Sequence, residues 1–502
     1  MKSKNFLAYA LILGLIFLVW HKILGQYFLG EAYMYFPLNQ KFFIEGFKLL
    51  PSFSNYNNSA KILFDILPPI FKDNIQLYLL FQLLTISVLG WSIFLVLKNI
   101  TKNKLISLIS VCLFLTNYTA SFEMMATGTY QRFAERVFGI ITGIISFYFL
   151  SKYYQKNKLK YLFISLILFI FGLYLGHYTT FILPIFIVYP LAQFLFNPKN
   201  RKTLFKNLTV IFLFVVIDFI ITKGSNQNPG GNILEFITQK NFAEKILLQI
   251  PAITIPPNII RFLSKLYPQP LPAPFVPILK ILFYPASALY LAGFIITRKQ
   301  SKSIKIIYFT AFFAMILEMF LYMFVDRRLN ILVNFGETRF FYITSIFASI
   351  CWGTITAIIF QNRKYLYKII SALIFAIYIL YNYLLINNNI QADQYKSEMM
   401  QRYVAYIKNI SPNFTEKTVI ITPSYIMWPG PMIEQFYGKP KMTVIRDYEG
   451  WESDLRQNSG NVIVIDYDYD KTKNEEVDQQ RGHVVDLTAK YRRGEKIKFL
   501  NY

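Results

Sequence analysis

Cysteine is scarce in this chain of 502 residues, which contains only Cys112 and Cys351. Each lies inside a long apolar run, so we interpret both as small side chains of a core rather than as a disulfide or metal ligands. The sequence also contains no HExxH, CxxC, P-loop or GxSxG pattern. The enzyme classes that depend on those motifs are therefore not indicated.

Long apolar runs, in contrast, are abundant. Hydrophobic side chains make up 54% of the chain and aromatic ones 18%, and the mean hydropathy is +0.37, values that soluble domains seldom reach. Eleven runs are long enough to cross a bilayer, at about residues 6–24, 76–98, 104–120, 136–154, 160–176, 178–196, 204–222, 276–297, 304–325, 340–361 and 367–386. The first run has no small-residue cleavage site after it, so we interpret it as an anchor. The sequence predicts a polytopic α-helical membrane protein with about eleven transmembrane helices.

Acidic side chains are missing from every second loop. If the N-terminus is cytoplasmic, the inner segments are 1–5, 98–104, 152–160, 197–206, 298–305 and 362–368. They contain twenty Lys or Arg residues and no Asp or Glu, which is the positive-inside pattern. The net charge of +24 belongs to the membrane part, and its cations lie mainly in these short loops between spans, so we predict no nucleic-acid partner. Frequent Lys, Ile and Asn, with no eukaryotic retention signal at the end, favour a prokaryotic plasma (inner) membrane.

The last 112 residues differ in kind, since they carry 16 basic and 16 acidic side chains. A helix-like piece is followed there by the strand-like pieces KTVIIT, KMTVI and NVIVIDY. We therefore divide the chain into a transmembrane domain, 1–390, and a small extracytoplasmic α/β domain, 391–502. The acidic run 466–476 has Lys471 and Val477 where an EF-hand needs Gly and Glu, so we interpret it as a solvated turn.

All the longer loops lie on the predicted outer side, at 25–75, 121–135, 223–275 and 326–339. Any chemistry is therefore expected there, because the inner loops have ten residues or fewer. The outer face normally lacks nucleotide sugars, so an enzyme on it needs a group already activated on a membrane lipid. The runs 38–50 and 232–250 predict amphipathic helices in the membrane interface, which either bind lipid or only close the loops against headgroups.

Two outer loops offer candidate acids. Glu31 stands in the aromatic run YFLGEAYMYF just after the first span. It is either a general base in apolar surroundings or a solvated interfacial acid. The loop after the third span holds Glu123, Arg132 and Glu135. There, a second acid could orient an acceptor and Arg132 could hold a phosphate, or these groups pair locally at the start of a helix.

A later outer loop offers arginines. Arg327, Arg328 and Arg339 lie between the ninth and tenth spans, and Arg339 is adjacent to the apolar run. A planar guanidinium suits the phosphate of a lipid-linked sugar, and the alternative is contact with lipid headgroups of no specificity.

Two acids lie inside spans. Asp218 is roughly 6 Å and Glu318 roughly 10 Å from the outer end of its run, at 1.5 Å per residue. Intramembrane acids usually line a cavity, so we predict a polar cavity that opens outward. His177, in the turn GHYT, is either a member of this cavity or a structural histidine.

This layout resembles the GT-C superfamily, polytopic glycosyltransferases that use polyprenyl- or dolichyl-phosphate sugars. They include protein O-mannosyltransferases and the aminoarabinose transferase of lipid A. GEAYMYF is similar to the Asp-Glu or Asp-Asp with following aromatics that such enzymes carry after the first span. Gly30 replaces the second acid of many members and Glu31 replaces their usual Asp. This departure disfavours a divalent metal, and we expect no cofactor.

The resemblance implies a role for each candidate. Glu31 would be the base, and Glu123 or Glu135 would belong to the second acidic motif. Arg339, with Arg327 or Arg328, would contact the phosphate of the donor. The implied partners are a polyprenyl-phosphate sugar, membrane lipids and an extracytoplasmic protein, lipid or glycan acceptor.

Three functions compete for this sequence. An inverting sugar transferase is favoured by the position of every acid before residue 390, which lies outside or in the outer half of a span. A flippase or transporter of a lipid-linked sugar predicts polar residues through both membrane halves and internal repeats, which we do not find. A non-catalytic scaffold that binds the cell envelope does not need eleven spans.

Overall fold

The computed structural model of the chain describes residues 3–26, 70–71, 74–117, 130–196, 200–223, 242–255, 259–260, 263, 275–325, 342–361, 365–410, 419–421, 443–445, 462–468 and 481–485. The helices are α1 (Ser3–Trp20), α2 (Ile75–Thr101), α3 (Lys104–Leu115), α4 (Tyr130–Lys156), α5 (Leu159–Leu175), α6 (Leu183–Phe196), α7 (Asn200–Lys223), α8 (Phe242–Leu247), α9 (Gln249–Thr254), α10 (Phe275–Thr297), α11 (Lys302–Val325), α12 (Tyr342–Phe360) and α13 (Tyr365–Ile410). Two 3₁₀ helices span His21–Gly25 and His177–Ile182.

Within these residues, nine helical segments are long and apolar enough to cross a membrane. They are Phe6–Gly25, Gln76–Thr101, Val137–Lys156, Thr179–Phe196, Leu204–Ile221, Pro277–Thr297, Lys302–Leu321, Tyr342–Phe360 and Tyr365–Asn388. Nine of the eleven predicted runs coincide with them. The chain is thus a multi-pass helical membrane protein, as the sequence predicts.

The other two predicted runs form shorter helices, so the count of eleven spans is not confirmed. In place of 104–120 the structure has α3, whose 12 residues rise about 18 Å against a hydrocarbon core of about 30 Å. In place of 160–176 it has α5, with 17 residues. At the end of α3 the Thr116 hydroxyl donates to the Cys112 carbonyl at 2.8 Å and so satisfies a group of the last turn.

Tight turns join α2 to α3 and α4 to α5. Lys102 and Asn157 adopt the left-handed conformation, with φ of 56° and 52°. The Asn103 carboxamide then accepts hydrogen bonds from the backbone N–H groups of Leu105 and Ile106, which caps the start of α3. These turns fold each helix pair back on itself.

Small side chains allow the closest helix contacts. A Cβ atom on Gly353 of α12 would collide with the backbone and the hydroxyl of Ser110 on α3. Between α4 and α5, the Ser146 hydroxyl donates to the Ser165 carbonyl at 2.7 Å, and the Ser165 hydroxyl donates back to the Ser146 carbonyl at 2.8 Å. Small and hydroxyl side chains are the usual means by which membrane helices approach one another.

The segment α8–α9 is buried among the membrane helices. Its apolar side chains Ile246, Leu248, Ile250, Ala252 and Ile253 belong to the main core, and α9 packs on α10 and α12. The sequence predicts an interfacial helix over 232–250; the described part of that run packs on membrane helices, and its place relative to the membrane interface stays a prediction. An apolar helix face fits a lipid surface and a protein core equally well, so periodicity alone does not separate the two.

A chain of hydrogen bonds holds this segment in place. The Trp352 indole N–H donates to the Tyr290 hydroxyl at 3.1 Å, and that hydroxyl lies 3.1 Å from the Thr254 hydroxyl. The Thr254 hydroxyl donates to the Ile250 carbonyl at 2.7 Å, so the proton between Tyr290 and Thr254 belongs to Tyr290. Each of these polar groups therefore has a hydrogen-bond partner within the protein.

The residues described after α13 form a sheet of four short strands, β1 (Val419–Ile421), β2 (Thr443–Ile445), β3 (Val462–Asp468) and β4 (Arg481–Val485), in the order β2-β1-β3-β4. β1 pairs in parallel with β2 and β3, and β3 pairs antiparallel with β4. α13 precedes the sheet as one helix of 46 residues, and its membrane-crossing part ends at Asn388. The predicted domain boundary at residue 390 therefore falls within a continuous helix.

Candidate active-site region

Lysines and amides gather where α2, α4 and α12 end and α7 begins. The Asn99 carboxamide donates to the Ser151 hydroxyl at 2.9 Å, and the Asn103 carboxamide donates to the Gln361 carboxamide at 3.2 Å. Lys206 of α7 lies 4.4 Å from the centre of the Tyr153 ring. These contacts bring the helix ends together at what we call the basic end, defined by Lys98, Lys152 and Lys206.

The two intramembrane acids lie at the opposite end. Asp218 follows Lys206 by twelve residues on α7, a rise of about 18 Å. Glu318 follows Lys302 by sixteen residues on α11, a rise of about 24 Å. We call this the acidic end and define it by Asp218 and Glu318. Their separation from the basic end agrees with the predicted distribution of charge.

Asp218 is held by the 3₁₀ helix between α5 and α6. Its Oδ1 atom accepts a hydrogen bond from the Thr180 hydroxyl at 2.9 Å, and the side chain is buried. The 3₁₀ helix forms because Gly176, in an extended conformation, ends α5 before α6 begins. The 3₁₀ helix between α5 and α6 therefore places the Thr180 hydroxyl next to the Asp218 carboxylate.

Glu318 is enclosed between α11 and α12. Its side chain is 0% exposed, and Oε2 accepts a hydrogen bond from the Thr344 hydroxyl. Oε1 has no hydrogen-bond partner within the described part of the chain. A buried carboxyl oxygen without a hydrogen-bond partner is costly, so Glu318 is a polar position that the described packing leaves incompletely satisfied.

Most of the predicted catalytic residues lie outside the described residues, namely Glu31, Glu123, Arg327, Arg328 and Arg339. The predictions made for them are therefore untested by the structure.

Three further predicted residues lie on described helices, although their side chains are outside the described part. Arg132 and Glu135 are in the first two turns of α4, and His177 begins the 3₁₀ helix. Since Lys152 of α4 is at the basic end, Glu135 stands about 26 Å away, at the acidic end. The structure thus brings the start of α4, the 3₁₀ helix and the two buried acids to the same end of the bundle.

The predicted polar cavity stays a prediction, because the outer loops that would surround it lie largely outside the described residues. A cavity of about 30 Å³ lies in the middle of the bundle and is lined by apolar side chains alone: Ile93, Val96, Leu97, Ile144, Phe147, Ile182, Ile185, Ile307, Ile343, Ile346, Phe347 and Ile350. Neither Asp218 nor Glu318 lines it. An apolar cavity of this size stays dry, so it does not serve a polar substrate.

Sequence reasoning missed the hydroxyl partners Thr180 and Thr344, because threonine within an apolar run carries no charge to mark it. The only available signal was the position of Thr180 next to the turn GHYT. As for metals, the described side chains contain no group of three His, Cys, Asp or Glu that could hold an ion.

Comparison with known proteins adds a family to this geometry. No curated protein matches the chain. Residues 61–222, however, match the model of the dolichyl-phosphate-mannose-protein mannosyltransferase family. The match runs from before α2 into the last turn of α7 and includes Glu123, Arg132, Glu135, His177 and Asp218. That family is part of the GT-C superfamily, so the resemblance predicted from the sequence is confirmed over these residues.

Proposed function

We propose that the protein is a membrane glycosyltransferase that moves a sugar from a polyprenyl-phosphate donor to an acceptor on the outer face of the membrane. The observation that carries this proposal is the family match over 61–222. The matched segment includes the predicted second acidic motif at and before the start of α4. The same end of the bundle holds both buried acids, which is the distribution expected if polar chemistry occurs on one side.

The proposed reaction is a single displacement with inversion. The acceptor oxygen attacks the anomeric carbon while the bond from that carbon to the phosphate oxygen breaks. Glu31 takes the proton of the acceptor hydroxyl, and polyprenyl phosphate leaves with the electron pair of the broken bond. Arg339, Arg327, Arg328 and Arg132 are the candidates to stabilise the charge on the leaving phosphate. The reaction balances without a metal or an oxidant.

The other acidic residues and the segment 391–502 are proposed to position the acceptor rather than to react. Glu123 and Glu135 are candidates to orient the acceptor, and Asp218 and Glu318 are buried polar positions close to the same end. The segment 391–502 is proposed to be an extracytoplasmic α/β domain that recognises the acceptor or covers the site, joined to the membrane part through α13. Donor and acceptor are then confined to one surface, which raises their effective concentration.

The test is release of polyprenyl phosphate by the purified protein in lipid bilayers, with a panel of polyprenyl-phosphate sugars as donors. Glu31→Gln keeps the shape of the side chain and removes its charge. We expect turnover by the wild type and a loss of about 10² or more in the variant. Glu244→Gln is a matched control, because Glu244 is a partly exposed acid that pairs with Lys280 at 2.6 Å. Its turnover should stay within about twofold of the wild type.

The other possible outcomes would each change a different part of the proposal. Full turnover in Glu31→Gln would keep the transferase and remove Glu31 as the base, and Glu123→Gln and Glu135→Gln would then be measured. No release from any donor by a folded protein would contradict the proposed function. Movement of an intact lipid-linked sugar between leaflets, measured on the same vesicles, would instead support a flippase.

A further inference from the structure

A second polar feature lies at the basic end, remote from the proposed reaction. Lys152, Lys156 and Lys160 surround Tyr161, and Lys206 approaches from α7. We call these five residues the lysine–tyrosine cluster. It lies about 18 Å or more along α7 from Asp218, so it plays no part in the chemistry at the acidic end.

The cluster is ordered by its aromatic rings. The Nζ atoms of Lys152, Lys156 and Lys160 lie 5.9, 5.6 and 5.5 Å from the centre of the Tyr161 ring. Lys152 also lies 4.2 Å from the Tyr148 ring centre. An ammonium group over an aromatic face is held electrostatically, so the rings gather several cations that would otherwise repel one another.

Lys206 is fixed at the same place by the turn between α4 and α5. Its Nζ donates to the Asn157 carboxamide oxygen at 2.5 Å and lies 4.4 Å from the Tyr153 ring centre. Asn157 is the left-handed residue of that turn. The fourth cation is therefore bound to the turn that separates Lys156 from Lys160.

These four lysines have no counter-ion in the described structure. No described carboxylate lies within ion-pair distance of any of them. The segment 152–160 contains no Asp or Glu, and neither does 197–206. A group of cations held together without an anion is most stable when a ligand supplies the negative charge.

Apolar surface continues from the cluster along two neighbouring helices. α5 exposes Leu159, Phe163, Ile167 and Phe171, and α7 exposes Phe205, Leu208 and Phe212. α5 and α7 pack against each other, so the two exposed faces adjoin the cluster. Lysine at such a boundary keeps its methylene chain on apolar surface and its charge at the headgroup level.

We propose that the lysine–tyrosine cluster binds the headgroup of an anionic phospholipid, whose acyl chains lie along the exposed faces of α5 and α7. The four ammonium groups supply the charge that a phosphate needs, and the helix faces supply the apolar surface that acyl chains need. A soluble phosphate would contact only the ammonium groups. A zwitterionic lipid would contact the apolar faces as well, but it would balance only part of the positive charge. An anionic phospholipid uses both.

The experiment measures lipid binding to the full chain in detergent micelles by native mass spectrometry, with phosphatidylglycerol and phosphatidylcholine of equal chain length as probes. The test variant is Lys152→Gln/Lys156→Gln/Lys160→Gln. The control is Lys299→Gln/Lys302→Gln/Lys305→Gln, which removes the same charge from another loop on the same side. We expect phosphatidylglycerol to bind at least about tenfold more weakly to the test variant and within about twofold to the control.

Three results would overturn the proposal. Equal weakening in both triple variants would mean that total charge, rather than this cluster, attracts the lipid. Binding of phosphatidylcholine as tight as that of phosphatidylglycerol would remove the role of charge. Displacement of the lipid by soluble glycerol phosphate at equal concentration would assign the site to a soluble anion. A Lys→Arg version of the test variant, which keeps the charge, should retain binding, and an unfolding temperature of the Lys→Gln variant equal to that of the wild type excludes misfolding as the cause of a loss.

Discussion

At the scale of single residues, the pair formed by Glu318 and Thr344 is the most informative. The carboxyl is fully enclosed, and the Thr344 hydroxyl satisfies only one of its two oxygens. A purely structural acid at such a position is usually replaceable by an apolar side chain of similar size, because both partners of the bond can be removed together. An acid that serves a ligand is not replaceable in this way.

We therefore predict that the single variant Thr344→Val is less stable than the double variant in which Glu318 is also replaced. Thr344→Val alone leaves the carboxyl without its described donor and should destabilise the protein. Adding Glu318→Leu should recover part of that loss, with a coupling energy of about 0.6–2 kcal/mol, the range for hydrogen bonds between membrane helices. Reversible unfolding in mixed micelles measures the four free energies. A coupling energy near zero would show that the bond does not stabilise the contact of α11 with α12.

At the scale of secondary-structure elements, α8–α9 shows that an apolar helix face can either lie in the membrane interface or pack in the protein core. Its amphipathic pattern suits the membrane interface, yet the structure buries it against α10 and α12. The deciding partners are Tyr290 and Trp352, which lie about 40 and 100 residues further along the chain and complete the hydrogen bonds of Thr254. Such non-local partners leave no trace in the local periodicity.

Two alanine substitutions test this burial. Ile250 is 5% exposed and Leu247, three residues earlier, is 40% exposed. We predict that Ile250→Ala lowers the free energy of unfolding by about 2–5 kcal/mol, because it leaves a cavity in the core. Leu247→Ala should cost less than about 1 kcal/mol. Thermal unfolding in the same micelles compares them. Equal small losses would indicate that the segment lies in the interface, as the sequence alone suggests.

At the scale of the whole molecule, the sequence predicts the apolar helices and the separation of charge, and much less of the candidate site. Mean hydropathy over twenty residues is a strong signal, and nine of the predicted runs are found as membrane-length segments. The shorter lengths of α3 and α5 do not follow from hydropathy, because both helices are themselves apolar. Thr180 and Thr344 are recognisable as acid partners only after the helices are packed.

The separation of charge also predicts the orientation of the chain in the membrane. If the positive-inside rule holds, the basic end faces the cytoplasm and the acidic end faces outward. The turn residue Lys158 is exposed at the basic end, and Gln76 is exposed at the start of α2, about 38 Å from the end of that helix. Single cysteines at these positions, with Cys112 and Cys351 replaced by alanine, report on which side each lies. Gln76→Cys should react with a membrane-impermeant maleimide in intact cells or right-side-out vesicles, and Lys158→Cys only after permeabilisation. The reverse pattern would place the acids in the cytoplasm, where soluble activated sugars are available, and the need for a lipid-linked donor would disappear.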